Sequence, residues 1–379
     1  MSALADALAL TGAPRAQFAG LARDGRSRNR RTGPGDLCAL PRSAADFTGR
    51  TAELVWVSEL VYEQSAPGVG VVGVVTGSAG VGKTTLAVRA AHALRPSHPD
   101  GVLFLDLLGM SRHPLPVGDA LRLLLGALGV PEQRIPGDVP GRAAQYRSAL
   151  RDKRVLVVLD DASTEEQVRP LLPGGGAGSV LITGRRLLAG LEGVRRLVLG
   201  PLALRESVAM LTGILGAHMA SDGEPAHIRL AELCGGLPLA LRIIGNRLVS
   251  RPGWDAAELA GRLEREDRRL DQLQAGDLKI AHAFAMSYEQ LADSSRRMFR
   301  RLAAVPAADF DASLAAVAGG VPVEEAWDAL DSLVDLGLLH DTDAGRYRFH
   351  DLVRLFARER LREEEATAER EALTGRLTS

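Results

Sequence analysis

The chain has 379 residues, 46% of them apolar, and its 46 Lys and Arg against 47 Asp and Glu give a net charge of -1. That length holds two or three domains around a substantial core, and the balanced charge excludes wholesale attraction to nucleic acid or to an anionic membrane, so any such surface is local. Cys38 and Cys234 are the only thiols and lack metal-ligand spacing, which points away from a disulfide framework and toward a reducing compartment.

Residues 1–45 open with "MSALADALALTG", which has Asp6 inside its apolar stretch and no basic start, so it does not read as a signal peptide. Arg23, Arg26, Arg28, Arg30 and Arg31 follow in a Gly- and Ser-rich setting without apolar periodicity. That composition predicts a disordered leader or linker; nucleic acid or an acidic partner is the competing use of its charge. No apolar run reaches the roughly 18 to 20 residues of a membrane helix, and the chain reads as cytoplasmic.

From 46 to 200, helical segments alternate with short apolar runs: "VGVVGVVTG", "GVLFLDLLG", "KRVLVVLDDA", "GSVLITGR" and "RLVLGPL". Runs of this kind read as parallel strands buried on both faces, so the region is expected to be an α/β domain with a doubly wound parallel sheet. The first run leads into Gly77, Ser78, Ala79, Gly80, Val81, Gly82, Lys83, Thr84 and Thr85, and a helix-forming stretch follows. This is the G-x-x-x-x-G-K-[ST] phosphate-binding loop in its strand-to-helix context: the glycines let backbone N–H groups converge on phosphate, and the helix start adds a positive dipole end. Lys83 is expected to pair the β- and γ-phosphates, and the Thr84 hydroxyl to bind Mg²⁺. Only Lys83, Lys153 and Lys279 are lysines, a bias that suggests a GC-rich bacterial genome. One of the three occupies the position where a flexible point charge suits phosphate better than a guanidinium does.

"VLVVLDD" puts Asp160 and Asp161 at the carboxyl end of a strand, where ligands bind in open α/β sheets. Asp160 is the candidate Mg²⁺ ligand, and Asp161 the group that polarises an attacking water; capping of the "STEEQV" helix is the competing role. The next strand ends in Arg185 and Arg186, and Arg185 is the candidate sensor of the γ-phosphate, with a plain surface cation as the alternative.

Residues 201–275 read as a helical domain. From 276 to 362 come four helical segments and then "LGLLHDTDAGRYRFHD", a hairpin pattern around Asp343, Ala344 and Gly345, with a closing helix; this order predicts a winged helix. The charged tail, 363–379, is expected to fray. No repeat of 20 to 50 residues occurs.

Six motifs in order, "FTGR" at 47–50, the loop at 77–84, "VLVVLDDA" at 155–162, "VLITGR" at 180–185, "GLPLA" at 236–240 and "FHDL" at 349–352, resemble those of NB-ARC domains. These are STAND-class switch ATPases, found in plant resistance proteins, apoptosome scaffolds and actinobacterial AfsR/SARP-type regulators, and the similarity covers about 46 to 362. The resemblance implies that Phe47, Gly49 and Arg50 line an adenine, that Pro238 stacks on it, that His350 hydrogen-bonds the β-phosphate of ADP, and that Asp351 orients the winged helix. It further implies ATP/ADP and Mg²⁺ as cofactors, at most slow ATP hydrolysis, self-association in the ATP state, and sensor or effector domains outside this chain. Two positions depart from the pattern: Thr51 stands where the family has Glu, and Phe349 where it has Met.

Two other functions compete. A winged helix can read DNA, but its expected recognition helix carries Glu324, Glu325, Asp328, Asp331 and Asp335 and no Lys or Arg, which repels a phosphate backbone. A conventional P-loop enzyme with fast turnover calls for a substrate lid, and the sequence has a helical bundle and a winged helix in its place.

Overall fold

The computed structural model describes residues 39–62, 70–216, 224–251, 253–342 and 345–378. The Arg-rich stretch at 23–31, Cys38 and the hairpin residues Asp343 and Ala344 lie outside them.

Five parallel strands form the central sheet: β1 (Val71–Thr76), β2 (Val102–Asp106), β3 (Leu156–Ala162), β4 (Ser179–Gly184) and β5 (Arg195–Val198), in the order β2-β3-β4-β1-β5. Alternation along each strand divides the apolar side chains between two cores. In β3, Leu156 and Val158 join the core that also takes Leu86 and Ala90 of the helix Lys83–Leu94, while Val157 and Leu159 face the core of Leu121, Leu124 and Tyr146 from the helices Val117–Ala127 and Val139–Leu150. Both faces are covered, as a parallel sheet requires.

The expectation that all five runs are buried fails at the rim. β5 has a neighbour only on the β1 side, and Arg195, Arg196 and Val198 are exposed. An edge position, which the apolar letters of "RLVLGPL" do not reveal, is the reason.

The helices Leu204–Leu215, Glu224–Leu233, Pro238–Val249, Ala256–Glu264 and Glu266–Gln272 form the second unit. Pro238 occupies the first turn of its helix, where a missing N–H costs nothing. A two-residue ribbon, β6 (Gln274–Ala275) with β7 (Leu278–Lys279), leads to the third unit.

That third unit has the expected order of four helices, Ile280–Tyr288, Asp293–Leu302, Ala312–Gly319 and Val323–Asp335, followed by a hairpin. β9 (His340–Thr342) and β10 (Arg346–Arg348) pair antiparallel, and β8 (Asp309–Phe310) extends the sheet on the far side of β10. Phe349 packs against Phe299 and Phe310, so it keeps the apolar contact expected of that position. One core runs from the phosphate-loop helix through the second unit into the third, so the three units share their interior.

The C-terminal segment does not fray. The helix Asp351–Glu364 is followed by a second, Thr367–Thr378, whose Leu373 is buried. Between the two, the Glu365 carboxylate takes hydrogen bonds from Arg300 and Arg301, and Arg300 also meets Glu364. Two arginines from another helix offset the tail's acidity, and charge composition alone conceals that pairing. Replacing Glu365 by Ala leaves both guanidiniums without that carboxylate, a loss that costs about 3 to 5 kcal/mol at buried pairs. The expected result is early protease cleavage after 364 and a lower urea midpoint, with Glu365→Gln intermediate.

Candidate functional site

The carboxyl ends of β1, β3 and β4 converge beside the phosphate loop. A cavity of about 530 Å³ opens there. Its walls come from all three units: Phe47 and Arg50 precede the sheet, Ala79 to Thr85 form the loop, Asp160, Asp161, Thr183 and Arg185 end strands, Pro238 and Arg242 come from the second unit, and Leu278 and Met286 from the third.

The loop requires glycine at its turns. Gly77, Gly80 and Gly82 have φ of 147°, 78° and 94°, and a Cβ on Gly77 would stand 2.4 Å from the Leu199 carbonyl oxygen. Lys83 folds back along the loop and donates from Nζ to the carbonyl oxygens of Gly77 (2.8 Å) and Ser78 (2.9 Å). Burial, then the neighbouring Arg185, lowers its ammonium from the ordinary lysine value to about 7.

Asp160 and Thr84 meet as expected: the Thr84 hydroxyl donates to Oδ2 at 3.0 Å, and Thr183 donates to Oδ1. Burial raises the Asp160 carboxyl, with Asp106 and Asp161 nearby adding to the shift. Among the described residues no three side chains form a ready metal cage. A hydroxyl and a carboxylate do suit Mg²⁺, which commonly takes one or two protein oxygens and fills its octahedron with phosphate and water. Asp161 sits at φ 52°, a left-handed conformation uncommon for a residue with a side chain, and its Oδ2 accepts from the Met110 N–H at 2.9 Å. It lines the cavity as expected.

Arg185 lines the cavity too, but its Nη1 reaches the third unit, donating to the Ala283 carbonyl (2.9 Å) and to the Ser287 hydroxyl. Ser287 passes the connection on to the Leu336 carbonyl at 2.9 Å. A cation expected to face phosphate thus also ties the sheet to the third unit.

The segment before the sheet brings Phe47 and Arg50 to the cavity wall. Arg50, at φ 63°, is buried and donates to the carbonyls of Val81 and Gly200. Arg50 also pairs with the Glu53 carboxylate at 2.9 Å. Gly49 is off the cavity wall; its turn, at φ 71°, lets Glu206 approach within 2.4 Å of where a Cβ would be.

Three expected residues lie elsewhere. Gly77 and Ser78 turn their surfaces to a neighbouring cleft. His350 lines that cleft as well and is not on the wall of the loop cavity. Both ring nitrogens are engaged: Nε2 is 2.8 Å from the Gly235 carbonyl, and Nδ1 accepts the Leu352 N–H as the helix cap. Gly235 permits the approach, since a Cβ there would lie 2.4 Å from the ring.

Sequence reasoning missed Asp46 and Arg242, which form a bidentate pair on the cavity wall, as well as Thr183 and Asp106. Three of them lie next to a motif: Asp46 precedes "FTGR", Thr183 lies inside "VLITGR", and Arg242 is one helical turn after Pro238.

A glycine-rich loop on a five-stranded parallel sheet, with a lysine, a hydroxyl and a strand-end carboxylate at one cavity, defines a P-loop nucleoside triphosphatase fold. No model of a known protein family matches the chain. Individual proteins do: the regulatory protein AfsR of Streptomyces coelicolor is 42% identical over 346 residues, 89% of this chain and 35% of that protein. A disease resistance-like protein of Arabidopsis thaliana is 26% identical over 84% of this chain and 26% of its own length. Among solved structures, the Walker-type ATPase of Pyrococcus abyssi aligns with a TM-score of 0.59 at 15% identity, covering 85% of this chain and 99% of that one, which supports the fold. The chain is thus similar to the AfsR regulatory proteins and, more distantly, to plant disease resistance proteins, and it has the P-loop ATPase fold. It spans about a third of the length of the AfsR proteins it matches.

The Lys83 shift has a pH consequence. Its folded value lies below the unfolded one, so between about 7 and 10.5 the unfolded chain holds a proton that the folded chain lacks, and stability rises with pH across that window. Below about 7 the penalty is fully present. Lys83→Met should therefore raise the melting temperature of nucleotide-free protein at pH 6.5, and by less at pH 9; an equal effect at both would show that the lysine is not desolvated.

Proposed function

We propose that this chain is an adenine-nucleotide switch, closed with ADP and Mg²⁺ and opened by exchange for ATP, with at most slow hydrolysis. The observation that carries the reading is the composition of the cavity wall. A nucleotide in the loop would touch the sheet, the second unit through Pro238 and the third through Met286, so binding energy would hold all three together. In this reading Lys83 pairs the phosphates, Thr84 and Asp160 hold Mg²⁺, Asp161 positions water, and Phe47, Arg50 and Pro238 border the base.

Arg185 gives the switch its sense of direction. A γ-phosphate would compete with Ser287 and the Ala283 carbonyl for the guanidinium, which loosens the third unit when ATP enters. His350 contributes from the other side as a clasp on Gly235, in place of a direct phosphate ligand. Opening would expose surfaces for self-association, and a longer regulator would supply the sensor and output; the acidic helix Val323–Asp335 does not suit DNA.

In calorimetry with Mg²⁺, ADP should bind at least about tenfold more tightly than GDP, which is ~1.4 kcal/mol. Equal affinities contradict the adenine assignment. Lys83→Ala should abolish binding, and Asp161→Asn should bind normally and hydrolyse more slowly.

His350→Ala removes the clasp and the helix cap together, a loss of about 1 to 3 kcal/mol. ADP should leave several-fold faster, and small-angle scattering should show a larger radius. An unchanged off-rate and radius would remove His350 from the gate.

A further inference from the structure

Beside the phosphate loop lies the second cleft, of about 640 Å³, which shares only Arg185 with the loop cavity. Thr76, Gly77 and Ser78 form one wall and the hairpin with His340 and Arg348 another. Its volume falls within the roughly 300 to 1,000 Å³ of small-molecule sites.

Several polar groups around it have no partner among the described residues. The hydroxyls of Thr76 and Ser78, 1% and 2% exposed, make no hydrogen bond. Buried hydroxyls are normally satisfied, so two on one cleft call for an explanation. Opposite them, His340 and Arg348 are register partners on adjacent strands and share one face of the ribbon. Among the described residues, the Arg348 guanidinium has no carboxylate partner and the His340 ring has no hydrogen bond.

Burial, then the neighbouring His350 and Arg348, lowers His340, so its neutral ring offers one donor and one acceptor. Two carboxylates also border the cleft. Asp341 pairs across from Tyr347, on the other face of the ribbon, and Asp351 starts the closing helix. Leu187, Val198, Leu199 and Pro201 give the cleft an apolar wall.

We propose that this cleft binds a small amphipathic oxyanion, an organic carboxylate or phosphate monoester with an apolar body. Arg348 would take the charged end together with the Thr76 and Ser78 hydroxyls, and the apolar wall the body. The ligand would join the phosphate loop to the hairpin, and by linkage it would slow opening and nucleotide loss. The site itself does not require the nucleotide reading; only its effect on opening and nucleotide loss rests on that reading.

The test uses the full chain carrying Lys83→Ala, so that the loop cannot answer for the cleft, and in parallel the wild type saturated with ADP and Mg²⁺. Phenyl phosphate and octanoate are titrated by calorimetry, with inorganic phosphate as the control. One or both organic probes should bind at a single site, and which of them binds identifies the charged group. Arg348→Ala should weaken that binding roughly tenfold or more, the loss expected for a hydrogen bond to a charged group. Arg348 is exposed, so its variant keeps the fold, which an unchanged melting temperature verifies. No binding by either organic probe overturns the proposal, as does binding that Arg348→Ala leaves unchanged. Inorganic phosphate binding as tightly as phenyl phosphate overturns the amphipathic class.

Discussion

The arrangement turns on one buried cation. Lys83 sits among backbone carbonyls with no carboxylate of the described residues within ion-pair distance, and desolvation pushes its ammonium down toward neutrality. A charge in that position is unfavourable until an anion arrives. The acids nearby, Asp160 and Asp161, are committed elsewhere, to Thr84 and Thr183 and to the Met110 N–H. The loop is therefore built for a partner the chain does not contain. Phosphate has the charge, and the loop glycines leave room for it.

The same neighbourhood connects the units mechanically. The Leu239 N–H bonds the Gly80 carbonyl at 3.1 Å, Arg185 reaches Ser287, and a Cβ on Gly337, at φ 65°, would stand 2.8 Å from the Ser78 Cα. The second and third units thus touch the backbone that would hold phosphate. Closely packed elements respond to a change at such a point by shifting between discrete arrangements. In the proposed switch, a change in phosphate occupancy would act at these contacts.

The sequence made most of this legible where local chemistry decides it. The loop, the strand-end aspartates and the buried runs at β1, β3 and β4 are local signals, and they lie where the letters place them. What escaped depended on distant pairing. Arg185 reads as a phosphate cation, and nothing in "VLITGRR" mentions its second partner, Ser287, 102 positions later. His350 matched a family motif, yet its ring is held by Gly235, whose glycine gave no sign of the approach. The tail read as frayed because Arg300 and Arg301, which pair with Glu365, belong to another helix. The exposed β5 shows that composition identifies a strand without revealing whether it is central or at the edge.

Amide hydrogen exchange with and without ADP and Mg²⁺ tests the central claim most directly, because it reports each unit separately. If the nucleotide holds the three units together, protection should rise at the loop and, in the same experiment, along the helices Pro238–Val249 and Ile280–Tyr288. Protection confined to residues 77–85, with both helices exchanging at their nucleotide-free rates, would contradict the account: the loop would then bind phosphate without governing the closure around it.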